Sequence, residues 1–275
     1  MDRIKRNERL AAMSRILTST PNRLYTLSYF TEMFGSAKST ISEDLSVLAS
    51  TLQMFDLGRL TTVAGAAGGV IYRAIPSRGR AVKALGALCE RLSEPGRLLP
   101  GDFLYTTDIT CDADISEMMG QILASRFYDK APDFVLTMET KGIPVAMMTA
   151  RALNAQLVIA RRDSKAYEGS AVKINYISGD MGDRIETMAL ARRAVIPGQK
   201  ALIIDDFMKG GGTLRGMHAL MKEFDVDVVG TGVVIQKVMP QRRQPDNVTA
   251  LLLMESVDRD TEKARLVPSD WVYSM

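Results

Sequence analysis

The sequence predicts an α/β protein in two parts: a small basic N-terminal module of three helices and a hairpin, then a larger domain built on a mostly parallel sheet. Three observations predict it. Charge is unevenly divided along the 275 residues, because the first 83 hold 12 Lys or Arg against 6 Asp or Glu, a net +6, and the remainder hold 23 against 26, a net −3. Apolar residues recur at helical intervals as far as Phe55 and then switch to short β-branched runs. Beyond Pro76, short apolar runs alternate with helical patterns, the signature of a sheet covered by helices. The expected domains are residues 1–75 and 76–275.

Apolar residues make 46% of the chain and charged residues 24%, a composition that excludes disordered, collagen-like and coiled-coil classes. No stretch approaches the ~18 consecutive apolar residues of a membrane span, and the opening MDRIKRNERL is charged where a signal peptide turns apolar. A cytoplasmic protein with no membrane partner is expected. The two cysteines, Cys89 and Cys111, form no CxxC and lie far in sequence from the sole histidine, His218, so neither a disulfide framework nor a Cys/His metal site is expected.

From Asp2 to Thr18 the apolar residues Leu10, Met13, Ile16 and Leu17 mark a first helix, with Arg3, Lys5, Arg6 and Arg9 read as a solvated face. Thr26 can cap a second helix carrying Leu27, Phe30 and Phe34, which Gly35 stops. A third begins near Ser36, with Ile41, Leu45, Leu48, Leu52 and Phe55 on its apolar stripe. GRLTTV and VIYRAI, joined by AGAAGG, then read as a hairpin. Helix, helix, helix, hairpin is the order of a winged helix-turn-helix, whose third helix enters the major groove of double-stranded DNA. Lys38, Ser39, Thr40 and Ser42 are the expected base and phosphate contacts on that helix, and Arg59 and Arg73 are read as flanking the wing tip near the DNA backbone or minor groove. The alternative is an ordinary α+β module used for dimerisation, with the Ser and Thr residues on a solvated face.

In the second part, FLYT (103–106), FVLTM (134–138), LVIA (157–160), ALII (201–204) and VVGTGVVI (228–235) are the expected strands. The stretch ALIIDDFMKGGGTL carries the chemistry. A buried strand delivers Asp205 and Asp206, which can accept hydrogen bonds from vicinal ribose hydroxyls. Phe207, Met208, Lys209, Gly210, Gly211, Gly212 and Thr213 then form a loop and a helix start whose free amides suit a phosphate. Neither the GxxxxGK[ST] nor the GxGxxG spacing is present.

Four apolar residues, two acids, a short loop and a terminal Thr resemble the phosphoribosyl pyrophosphate site of type I phosphoribosyltransferases. METKGIP (138–144) resembles that family's pyrophosphate loop, which implies that Thr140, Lys141 and Gly142 face the pyrophosphate. The polar segment RRDSKAYEGSAVKINYISGDMGD occupies the place of its flexible hood loop. Lys209 stands where the transferases commonly carry an acid that contacts the base, so no catalytic residue is expected. With the N-terminal module added, nearly the whole chain resembles the bacterial purine operon repressors. That resemblance implies a homodimeric regulator of purine genes that binds operator DNA and senses phosphoribosyl pyrophosphate, or a related nucleotide, through an inactive transferase fold. No metal and no catalytic cofactor are expected. Tyr105, at the end of an early strand, is read as a ligand neighbour or a core residue, and His218 as exposed or capping. An active purine phosphoribosyltransferase with an appended nucleic-acid module is the alternative.

Overall fold

The computed structural model describes residues 4–65, 68–163, 169–178, 184–238 and 247–275. They divide into two compact units, one of residues up to Ser77 with Arg151–Asn154, the other of Arg78–Ala150 and Ala155–Met275.

The first unit opens with α1 (Arg6–Ser19), which buries Met13 and Leu17; Asp2, placed in this helix by the sequence, lies outside the described residues. A short strand, β1 (Leu24–Thr26), follows and has too few residues to show a period. In α2 (Leu27–Phe34) the Thr26 hydroxyl accepts from the Tyr29 amide at 3.2 Å, and Gly35 ends the helix at φ 58. Helix α3 (Lys38–Met54) buries Ile41, Leu45, Leu48 and Leu52 against α1 and α2. Phe55, assigned to the same stripe, is instead 65% exposed, because the helix stops one residue before it. Arg6 and Arg9 also differ from expectation. Their Nε atoms reach the buried Asp44 carboxylate of α3 at 2.9 and 2.8 Å, so α1 and α3 are joined by charge as well as by packing.

The hairpin is β2 (Arg59–Val63) and β3 (Gly69–Arg73), and β1 adds to its free edge in the order β1-β3-β2. Residues 66 and 67 of the AGAAGG tip are outside the described residues. Arg59 pairs with Arg73 at the end of the hairpin away from that tip, not beside it as the sequence suggested.

The second unit begins with α4 (Arg78–Leu92), the two-residue strands β4 (Leu98–Leu99) and β5 (Phe103–Leu104), α5 (Thr107–Thr110) and α6 (Ala113–Ser125). Then come β6 (Phe134–Met138), α7 (Ile143–Leu153), β7 (Gln156–Ala160), the hairpin β8 (Ala171–Ser178) and β9 (Arg184–Ala191), β10 (Lys200–Met208) and α8 (Gly212–Glu223). Strands β11 (Asp227–Lys237), β12 (Val248–Asp258) and β13 (Lys263–Pro268) complete it. The main sheet runs β13-β12-β11-β10-β6-β7, parallel except for β13.

Helices cover both faces. Thr231 of β11 bonds His218 of α8 at 3.0 Å on one face, while Cβ atoms at its neighbours Gly230 and Gly232 would meet Phe127 and Leu123 at 2.6 and 3.2 Å on the other. The run FLYT does not join this sheet. Only Phe103 and Leu104 are strand, and they pair with β4. Half of the expected hood loop is also ordered differently. Strand β8 pairs with β9 from Ala171↔Ala191 to Ser178↔Arg184, because Val172, Ile174 and Tyr176 alternate inward against the core while Lys173 and Asn175 lie between them. Residues 164–168 and 179–183 of that segment are outside the described residues.

Candidate functional site

Strands β6 and β10 are parallel neighbours, with Ala201 opposite Phe134 and Ile203 opposite Leu136, so their carboxyl ends open at one edge of the sheet. The loop before α7 and the loop before α8 therefore emerge side by side. Between them lies a cavity of about 530 Å³. Thr140 and Lys141 line it from the first loop, and every residue from Asp205 to Thr213 lines it from the second. Gly142 does not. It sits behind the wall, where a Cβ would meet the Thr137 hydroxyl at 2.5 Å and Asp205 Oδ1 at 3.0 Å.

Strand β10 runs on to Met208, so the two acids belong to the strand instead of following it. Successive strand residues face opposite ways, and this places Asp205 at 6% exposure while Asp206 is half-buried. The Asp206 amide donates to Asp205 Oδ1 at 3.0 Å. Burial pushes the Asp205 carboxyl well above the usual range, with the neighbouring Asp206 charge adding to it. Burial also raises Asp206, against the opposing pull of its Asp205 contact and the Lys141 charge. Gly211 at φ 73 turns the chain into α8, and no side chain caps that helix. Its first amides and its dipole are thus available to an oxyanion. Arg215 braces the turn by donating to the Gly210 carbonyl at 2.9 Å.

Two walls are made by residues that the sequence reading did not name, one from the expected hood-loop segment and one from FLYT. One is the β8–β9 hairpin with Arg162 beside it, which adds Tyr176, Ser178, Arg184 and Glu186 to the cavity. Tyr176 donates to Glu186 at 2.8 Å, and burial with that carboxylate pushes its hydroxyl up to about 12. Arg162 Nη1 reaches Glu186 at 3.4 Å while its amide donates to Glu139 at 2.7 Å. The hairpin lies flat on α8 because Gly212 and Gly216, one turn apart, leave room for the Ile177 carbonyl and the Tyr176 ring. That glycine pair was the available signal. The other wall is Phe103, Leu104 and Thr106. Tyr105, singled out between them, is 46% exposed and outside the cavity lining, so it is not a core residue either. His218, bonded to Thr231, neither caps nor is exposed.

The cavity therefore combines cations (Lys141, Arg162, Arg184, Lys209), the buried Asp205 and half-buried Asp206, the carboxylates of Glu139 and Glu186, and an uncapped helix start. Such a set suits a ligand with anionic groups at two ends and hydroxyls between. Among the described residues no group of His, Cys, Asp or Glu is arranged to hold a metal ion, and no helix is long and apolar enough to cross a membrane. On the first unit, Lys38, Ser39 and Ser42 are exposed at the start of α3 with Thr40 half-buried beside them, Arg59 is exposed, and Arg73 is half-buried.

Residues 5–74 match the family described as the N-terminal domain of the bacterial purine repressor, and residues 110–261 match the phosphoribosyl transferase domain. A purine biosynthesis transcriptional repressor of Bacillus subtilis is 41% identical over 256 residues, which cover 93% of this chain and 90% of that protein. The chain belongs to the family of purine biosynthesis transcriptional regulators. A member from Lactococcus lactis subsp. lactis, named an activator, is 36% identical over 93% of this chain and 94% of its own. Repressors and activators thus share the family's architecture. In fold the chain is also similar to an adenine phosphoribosyltransferase from Rhodothermus marinus, with a TM-score of 0.54 and 23% identity over 62% of this chain and 99% of the other.

Proposed function

We propose that this protein is a cytoplasmic, DNA-binding regulator of purine biosynthesis and salvage genes, acting as a repressor, whose operator affinity is set by phosphoribosyl pyrophosphate. The observation that carries the reading is the meeting of the two loops. Thr140 and Lys141 stand across one cavity from Asp205 through Thr213, so the ribose hydroxyls fall to Asp205 and Asp206, the 5′-phosphate to the amides from Lys209 to Thr213, and the pyrophosphate to Thr140 and Lys141. Arg162 and Arg184 add charge for an anion of this size. Gly142 serves by its smallness, keeping the loop against Asp205.

Lys209 occupies the place of the transferases' base-contacting acid and would oppose protonation of a purine nitrogen, so the site binds without transferring the ribosyl group. A second reading, an active purine phosphoribosyltransferase, draws on Glu139 and Glu186, which put two other carboxylates on the cavity wall. Incubation with phosphoribosyl pyrophosphate and each purine base, followed by pyrophosphate release, separates the two. No release is expected, and turnover with any base would overturn the regulator-only reading.

Lys38, Ser39, Thr40 and Ser42 would meet the major groove and Arg59 the DNA backbone. One small module makes a small interface, and operators of this kind are read by two-fold pairs, so the working species is a homodimer.

A further inference from the structure

Strands β4 and β5 have two residues each, far too few to hold a hairpin by themselves. Yet this hairpin carries Phe103 and Leu104 to the cavity wall. Phe103 is 49% exposed, its ring centre is 5.6 Å from that of Phe207, and Lys209 Nζ stands 5.5 Å over its face. Charges fasten the hairpin at two points. Where the chain leaves it, Asp108 takes both terminal nitrogens of Arg97 at 2.9 Å and Arg91 of α4 at 2.7 Å. At its turn, Asp102 adopts φ 58, and its carboxylate, only 17% exposed, accepts Lys237 Nζ at 2.7 Å and Arg259 Nη2 at 3.0 Å. Lys237 ends β11 and Arg259 follows β12, two consecutive parallel strands beyond β10. The sheet edge that bears the phosphate loop thus also bears the cations that hold the hairpin.

We propose that the Asp102–Lys237–Arg259 cluster is a latch that holds Phe103 across the mouth of the effector cavity, which makes Lys237 and Arg259 positioning residues for a ligand they do not line. The inference rests on the reading of that cavity as the phosphoribosyl pyrophosphate site. Partly desolvated charges are costly, and a hairpin needing only anchorage could be packed with apolar groups. Asp102 is adjacent to Phe103, so its release frees the ring first. With the latch undone the hairpin opens more often, and the ligand leaves faster; its route in is little changed.

The test is titration of the full-length protein with phosphoribosyl pyrophosphate by calorimetry, with dissociation followed by stopped flow, for wild type, Asp102→Asn, Lys237→Met, Lys237→Arg and the Asp102→Asn/Lys237→Met pair. Each single charge removal is expected to weaken binding up to about 10-fold through faster release, and the pair to be no worse than Asp102→Asn alone, which already breaks both ion pairs. Lys237→Arg restores the wild-type rate, and operator affinity without ligand is unchanged in all of them. Arg259→Met, whose side chain is 77% exposed, is expected to speed release in the same direction by a smaller factor and replaces Lys237→Met should that variant fail to fold. Unaltered release rates in folded variants, or additive losses in the pair, would overturn the latch. Wild-type protein that binds no phosphoribosyl pyrophosphate would instead overturn the site assignment beneath it.

Discussion

Asp205 is kept out of water beside a second carboxylate, an arrangement that stability alone does not favour. Its folded pKa is raised, so the stability tied to this group is fully present below the ordinary carboxylate range and is lost as pH rises through the raised value. Burying this acid therefore costs stability at neutral pH, and Asp205→Asn should raise the thermal midpoint, by roughly 0.5–2 kcal/mol in stability. The same variant should lose phosphoribosyl pyrophosphate binding in calorimetry, because an amide presents only one acceptor to the ribose. A lower midpoint would show that Asp205 is a structural group. Gly142→Ala makes the complementary test, since the added methyl must displace the Thr137 hydroxyl or the Asp205 carboxylate. It should weaken ligand binding at least as much as it weakens the fold, read by calorimetry against thermal melting. The acids and Lys141 were legible as residue types at the ends of strands. Gly142's role behind the wall was not, because sequence gives a glycine's smallness without its neighbours.

At the scale of elements, α3 depends on one buried charge. Asp44 sits on its inner face among leucines, and Arg6 and Arg9 of α1 neutralise it. Asp44→Ala would leave Arg9 buried with only the Ile4 carbonyl, 3.1 Å from its Nη1, and no charge partner, and breaking a buried pair this way costs about 3–5 kcal/mol. Urea denaturation of the isolated change should show that loss, with operator binding falling as α3 loosens; a loss below about 1 kcal/mol would mean the pair is open to solvent. The helices of this unit could be read because their apolar residues keep a 3.6 period and Thr26 and Gly35 mark the ends of α2. Asp44 could not, since a lone acid on a helix does not announce its partner. In the second unit, FVLTM and ALII were legible as continuous apolar runs of buried parallel strands. The β8–β9 hairpin was hidden by its polar outer face, and FLYT was misread because two apolar residues suffice to pair with β4.

At the scale of the whole molecule, a basic module is joined to an acidic segment, and the proposed function has the first read DNA and the second sense a small anion. DNA affinity should fall steeply with salt as counterions return to the phosphates, and Lys38→Ala or Arg59→Ala should flatten that slope by about one unit if the residue is a pure phosphate contact. Fluorescence anisotropy against salt concentration reads both, and unchanged slopes would move the DNA surface elsewhere. Coupling is reciprocal, so a ligand that changes operator affinity by some factor must find its own affinity changed by the same factor when DNA is bound. The most direct measurement is a gel-shift titration of operator DNA with phosphoribosyl pyrophosphate for wild type and the Asp205→Ala/Asp206→Ala variant. The wild type should change its operator affinity by roughly 5- to 150-fold, while the variant binds operator as tightly as wild type and ignores the ligand. A variant that responds at the wild-type ligand concentration would show that the cavity between the two loops is not where the signal is read.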